Sequence, residues 1–236
     1  MKLNIHQEYQ YIMNRKKLFI AELKAKALFK DILKLNLIEP GKTEDVLSLQ
    51  IYDLAFKMFN TKVHWHKKIV RAGINTIHPY SKNPPNLVIK EDDILFLDFG
   101  PVFDGWEADL GRTYVLGRDK MKLKMKNDVE ECWFKGKQYF DSYKSITCSE
   151  LYKYIVGLAK DKSWEFGNVH CGHLIGEFPH RKIDGENFLS YIHPDNHIEM
   201  RELDRKGMMR DWILEIHFVD YDISIGGFYE QLLTLE

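Results

Sequence analysis

The stretch DDILFLDFGPVFDGWEADLGRTYVLG, residues 92–117, restricts the fold more than any other part of the chain. Two runs rich in β-formers, ILFLDFG and ADLGRTYVLG, flank Asp104-Gly105, a dipeptide that tolerates positive φ and so closes a two-residue hairpin. Closing the hairpin there pairs Asp98 with Gly111 and Gly100 with Asp109. Side chains alternate along a strand, so Asp98 and Asp109 leave the same face as diagonal neighbours, about 7–8 Å apart at their backbones. A one-residue slip of both strands would make them direct partners instead. In either register two carboxylates converge inside apolar strands, where unpaired they would repel and one would keep its proton. A pair of divalent metals resolves the conflict. Carboxylates suit hard cations, and bridging carboxylates hold two ions about 3.5–4 Å apart.

Further ligand types lie downstream. HCGHLIGEFPH (170–180) carries three histidines, Glu215 sits inside the apolar run WILEIHF, and Glu230 sits inside GFYEQLL. Both glutamates interrupt apolar strands as Asp98 and Asp109 do. Four strand-borne acids with a glycine-flanked histidine make an oxygen-rich, nitrogen-containing dinuclear site. His64 and His66 in VHWHKK alternate and could form a metal pair, although they read as surface or pocket-rim residues. His170 and Cys171 read as packing or support around His173, and Trp106 and Trp164 as core.

The remaining pattern is α+β. Tyr9, Ile12, Leu18, Leu23, Ala27, Ile32 and Leu35 recur at helical spacing and predict a helix over 6–36, stopped by Pro40-Gly41. A second helix follows over 44–60, with Val46, Leu47, Ile51, Leu54, Ala55 and Met58 on one side. Residues 67–90 are irregular and strand-rich, and a helix spans 122–143. TCSE (147–150) is a capping box that opens another helix, and strands over 211–220 and 226–235 end the pattern. No linker composition divides the 236 residues, so the expectation is one domain over 1–236, with a helical part at 1–62 and the ligand-bearing core at 63–236. A net charge of −1 gives no bias toward nucleic acid or a membrane surface. The N-terminus has no apolar signal region, no apolar run reaches the roughly 18 residues of a spanning helix, and Cys132, Cys148 and Cys171 read as free thiols. Together these point to a cytoplasmic protein. A homodimer stays open.

Order and spacing resemble the pita-bread metallopeptidases: methionine aminopeptidases, Xaa-Pro aminopeptidases and dipeptidases, and creatinase. The match runs through LDFG at Asp98, ADLGRT with Asp109 eleven residues on, GHLIG at His173, His180 seven residues later, then Glu215 and Glu230; it covers about residues 65–236. TIHPYSKNP places His78 where the Xaa-Pro branch carries a substrate-binding histidine. The resemblance implies a curved antiparallel sheet covered by helices, with two divalent metals (Mn, Co, Fe or Zn) held by Asp98, Asp109, His173, Glu215 and Glu230. It implies an exopeptidase in which a metal-bridged hydroxide attacks the first peptide bond of a short peptide, of Xaa-Pro type. Glu215 would shuttle the proton, and His78 and His180 would bind substrate and stabilise the tetrahedral intermediate. The chain departs from the family in two ways. HRKID stands where the family continues H-E-x-P, and the extra N-terminal domain common in the Xaa-Pro branch is not expected within these 236 residues. A non-peptidase metal hydrolase or lyase, or a binding module without catalysis, are the alternatives on the same fold; the retained ligands argue against the metal-independent creatinase chemistry.

Overall fold

A computed structural model describes residues 5–204 and 207–234. Seven antiparallel strands form one sheet, in the order β1 (Ile69–Ala72), β2 (Ile94–Phe99), β5 (Leu110–Val115), β9 (Ile225–Leu232), β8 (Asp211–Asp220) and β6 (Glu165–Phe166), with β7 (Leu174–Ile175) also paired to β8. The predicted hairpin is β2 and β5, extended by the short strands β3 (Val102–Phe103) and β4 (Trp106–Glu107). Asp104 and Gly105 both take positive φ, 52° and 82°, which is what the tight turn demands. The register sets Asp98 opposite Gly111, so the slipped alternative is not adopted.

Strand alternation divides the sheet into two faces. Leu95, Leu97, Phe99 and Leu110 pack with α1 (Ile5–Lys34) and α2 (Glu44–Phe59) in one apolar cluster. Trp212, Leu214, Ile216, Phe218 and Tyr229 pack with α3 (Lys120–Ser142) and α4 (Cys148–Asp161) in another. By period two these residues share one face, which all four helices cover. Asp98, Gly111, Glu230 and Glu215 lie on the opposite face. Burying each large side chain contributes about 1.5–3 kcal/mol, so the helical layer is what holds the acidic face in shape.

The helices follow the expected segments. The capping box is present: Thr147 receives the Glu150 amide and Glu150 receives the Thr147 amide. The buried stripe of α1 differs from the expected one. Leu18, Ala21, Ala25, Leu28, Phe29 and Ile32 are buried, whereas Tyr9, Ile12, Leu23 and Leu35 are exposed. Two alanines in the stripe bring the helix backbone close to its neighbours, and an apolar count cannot choose between two rows on one long helix. Glu44, at the start of α2, is buried and receives the amides of Ala72 (2.6 Å) and Leu87 (3.1 Å) and the Asn75 side chain (2.9 Å), which ties α2 to β1. Trp106 and Trp164 are buried, the latter giving Nε1–H to Asp128 at 2.7 Å, as core residues do. No described helix is long and apolar enough to cross a membrane.

Candidate metal centre and active site

Sheet register builds the site. Asp98 faces Gly111, Gly111 faces Glu230, and Glu230 faces Glu215, so one cross-strand row carries three acids over four strands. Directly opposed residues share a face, and Asp109, two residues before Gly111, shares it too. Glycine at 111 makes the convergence fit: a Cβ there would lie 2.5 Å from Phe228 Cδ1 and 2.9 Å from Glu230 Cβ. His173 arrives from the segment laid along β8, where Ile213 N–H donates to His173 O at 2.8 Å and Glu215 N–H donates to Cys171 O at 3.0 Å. At Gly172 a Cβ would collide with the Ile213 carbonyl, so only glycine lets that segment lie so close.

The donor atoms crowd together. His173 Nε2 is 3.2 Å from Asp109 Oδ2 and 3.6 Å from Glu230 Oε1. Glu215 Oε1 accepts from the Asn168 amide at 3.0 Å and lies 2.8 Å from His170 Nδ1. All four acids are buried. Burial pushes the Asp98 carboxyl up to about 7, against the pull of His66 and with the help of Asp109. Burial, then the charges of Asp109 and Asp98, push Glu230 well above the usual range. For Asp109 burial works upward, but His66 and His173 outweigh it and hold the carboxyl at about 2. Burial works upward on Glu215 too, but His170, His173 and Glu230 together outweigh it and lower the carboxyl. The protein's own groups thus balance only part of the acid charge, and Asp98 Oδ1 and Glu230 Oε2 are buried without a hydrogen-bond partner. Orphaned carboxylate oxygens beside an imidazole fit a divalent cation, and two trios could hold one: His66, Asp98 and Asp109, or Asp109, His173 and Glu230.

Of the expected residues, Asp98, Asp109, His173, His180, Glu215 and Glu230 border one cleft of about 340 Å³. His180 reaches it through Glu107, which takes the His180 amide at 3.0 Å and stands 2.7 Å from its Nδ1. His78 borders a smaller neighbouring cavity with Asp98 and Glu215, while Tyr80, on the same loop, borders the main cleft. Of the surface or pocket-rim reading of His66 only the pocket holds: it lines the cleft, its side chain is 6% exposed, and Nε2 lies 3.0 Å from Asp109 Oδ1. His64 is not its metal partner; it packs against Tyr52 and Phe99. Trp65 and Glu107 escape sequence reasoning. The Trp65 ring lies 4.5–5.5 Å from the rings of His66, His173 and His180 and gives its N–H to Ala108 O at 3.1 Å. Neither carries a local signal: Trp65 sits in the polar run HWHKK and Glu107 just past the hairpin turn in DGWEADL.

Known proteins share this fold. A putative Xaa-Pro aminopeptidase of Mycoplasma pneumoniae is 28% identical over 174 residues, 68% of this chain and 48% of that protein. The chain therefore spans about half the length of that relative. The solved Xaa-Pro dipeptidase from Bacillus anthracis superposes with a TM-score of 0.75 at 23% identity, over 95% of this chain and 58% of that one. Methionine aminopeptidase from Rickettsia prowazekii superposes with a TM-score of 0.70 at 17% identity, over 98% of this chain and 95% of that one. At such identities the superpositions establish a common pita-bread fold. The profile of metallopeptidase family M24 matches residues 16–210, most of the chain and all of the sheet up to the strands that bring Glu215 and Glu230. With the match extending over that length, the chain belongs to metallopeptidase family M24.

Proposed function

We propose that this chain is a metal-dependent exopeptidase that hydrolyses the N-terminal bond of short peptides, with Xaa-Pro substrates preferred. The carrying observation is the convergence of four buried, strand-borne acids and His173 at a cleft bordered by the rings of Trp65, Tyr80, Phe178 and Tyr191. Two divalent cations held by Asp98, Asp109, His173, Glu215 and Glu230 would polarise the scissile carbonyl and activate a water. The cations proposed are drawn from Mn, Co, Fe and Zn, in a cytoplasmic enzyme whose residues 1–236 act as one catalytic domain. Glu215 borders the cleft, with Oε1 2.8 Å from His170 Nδ1 and 3.0 Å from the Asn168 amide, and is placed to move a proton there. His180, with Nδ1 engaged by Glu107, offers Nε2 to the substrate backbone. His78 would act only from the smaller cavity, which adjoins the cleft at Asp98, Glu215 and Tyr80.

A proline at the scissile bond has no N–H to donate, so it must be recognised through its carbonyl side and through ring packing. Apolar rings around a polar floor supply that packing, and the relatives named above as Xaa-Pro peptidases support the same preference. Turnover of Ala-Pro, Met-Ala-Ser and Ala-Ala by protein loaded with Mn²⁺ or Co²⁺ tests it. Ala-Pro is expected to be cleaved fastest. Met-Ala-Ser cleaved about tenfold faster, a transition-state difference of roughly 1.4 kcal/mol, would overturn the preference. No cleavage of any of the three would replace the peptidase reading with a non-peptidase hydrolase or lyase.

A further inference from the structure

Beside His170 at Glu215, two imidazoles, His66 and His173, meet Asp98, Asp109 and Glu230. His66 Nε2 lies 3.0 Å from Asp109 Oδ1 and 3.5 Å from Asp98 Oδ1, and its Nδ1 lies 2.6 Å from the carbonyl of Lys67. His173 is arranged in the same way: Nε2 faces Asp109 Oδ2 and Glu230 Oε1, and Nδ1 lies 2.9 Å from the carbonyl of Leu174. In both, Nδ1–H donates to the carbonyl of the next residue in the chain. That bond leaves Nε2 facing the acids, where it donates to Asp109 while the ring is protonated and would offer its lone pair to a metal that displaces the proton, the way a metal-ligating histidine is normally held.

Two more observations single out His66. A Cβ at Gly100 would collide with the His66 ring and the Trp65 indole, so the backbone of the hairpin has been cleared for that ring. And Asp98 Oδ1, the oxygen nearest to His66 Nε2 on that residue, has no hydrogen-bond partner although it is buried. An Nε2 lone pair set against a carboxylate oxygen is repulsive unless a cation or a proton lies between them. Asp109 stands between the two imidazoles, Oδ1 toward His66 and Oδ2 toward His173.

We propose that His66 is a metal ligand in its own right. With Asp98 and Asp109 it forms one cation site, and His173 forms the other with Asp109 and Glu230, each trio gathering its donor atoms within 4.8 Å. This inference rests on the metal-dependent reading above and adds one imidazole to its ligand set. The added nitrogen shifts that set toward metals that favour imidazole, such as Zn²⁺ and Co²⁺, relative to Mn²⁺.

Metal binding, read without any substrate, tests it. Zn²⁺ or Co²⁺ is titrated into the full chain against a competing chelator, and bound equivalents are counted by elemental analysis. The unsubstituted protein is expected to bind two equivalents. His66→Ala should weaken one of them by at least about 100-fold and spare the other, and His66→Asp should recover part of the loss by restoring a donor. A second measurement needs no variant: long-range ¹H–¹⁵N spectra of the histidine rings should show Nε2 of both His66 and His173 moving as Zn²⁺ is added. Two tight equivalents in a folded His66→Ala, or a His66 Nε2 signal that stays fixed while that of His173 moves, would overturn this inference and leave the peptidase reading intact. A chain that binds no divalent metal would overturn both.

Discussion

Gly111 is where the site depends on the absence of a side chain, and Gly111→Ala shows how much. The new Cβ would lie 2.5 Å from Phe228 Cδ1 and 2.9 Å from Glu230 Cβ. Carbon atoms pack at about 3.5–4.0 Å, so ring and glutamate must retreat by roughly 1 Å. Phe228 has little room, since it is buried with its ring 5.1 Å from Phe96 and 6.0 Å from His217. Overpacking of this kind costs about 1–3 kcal/mol, which for a chain of this size lowers Tm by about 2–12 °C. The effect on function should be larger. Glu230 directly faces Gly111, so its carboxylate moves with the displaced Cβ, and a misplacement near 1 Å in a catalytic constellation costs about 100-fold. The assay pairs thermal unfolding with metal content and turnover on the preferred dipeptide. Gly136→Ala is the control: its Cβ would meet Ile155 Cδ1 at 2.6 Å and Leu214 Cδ2 at 2.9 Å, on the helix-covered face. It should shift Tm, less the roughly 1 kcal/mol that alanine returns within a helix, and leave metal affinity unchanged. Wild-type turnover and metal content in Gly111→Ala, whatever its Tm, would refute the reasoning.

Asp109→Asn removes the carboxylate common to both donor trios, so metal content and activity should fall together to background while circular dichroism stays native; full activity at limiting metal would count against a dinuclear centre. Glu107→Ala strips the partner from the Gly176 and His180 amides and from His180 Nδ1, at about 1–3 kcal/mol for each buried donor left unmet, and should raise KM more than it weakens metal binding, as chelator competition and steady-state kinetics will report. Asp128 carries a pH-dependent part of the stability. Burial raises its carboxyl, but bonds from Lys124, Trp164 and Lys162 outweigh that and hold it below the usual range. Its contribution is therefore present above the ordinary aspartate value of about 3.9 and is lost as pH falls through the lower folded value. Asp128→Asn should lower Tm at pH 7, and the gap from wild type should narrow as pH is taken from 5 toward 3; a gap that widens would refute the assignment.

Much of this centre is written in local sequence. Asp104-Gly105 sets the turn, the turn sets the register, and period-two alternation then sends Asp98 and Asp109 to one face, all within residues 92–117. The same alternation marks Glu215 and Glu230 as acids inside apolar strands, and capping chemistry marks the start of α4 at Thr147. These are short-range matters, decided by φ, by pleat and by side-chain period. The tertiary structure alone decided which strands became neighbours, and so placed Glu215 opposite Glu230 and Glu230 opposite Gly111. It buried the alanine-bearing row of α1, set Tyr80 rather than His78 on the cleft, made Glu107 the anchor of His180, and brought His66 against the acids and Trp65 against the histidine rings. None of these contacts has a period or a turn to announce it. Each depends on how closely two backbones can pass, as at Gly100, Gly111 and Gly172, and that distance exists only once the sheet has curved and closed over its helices.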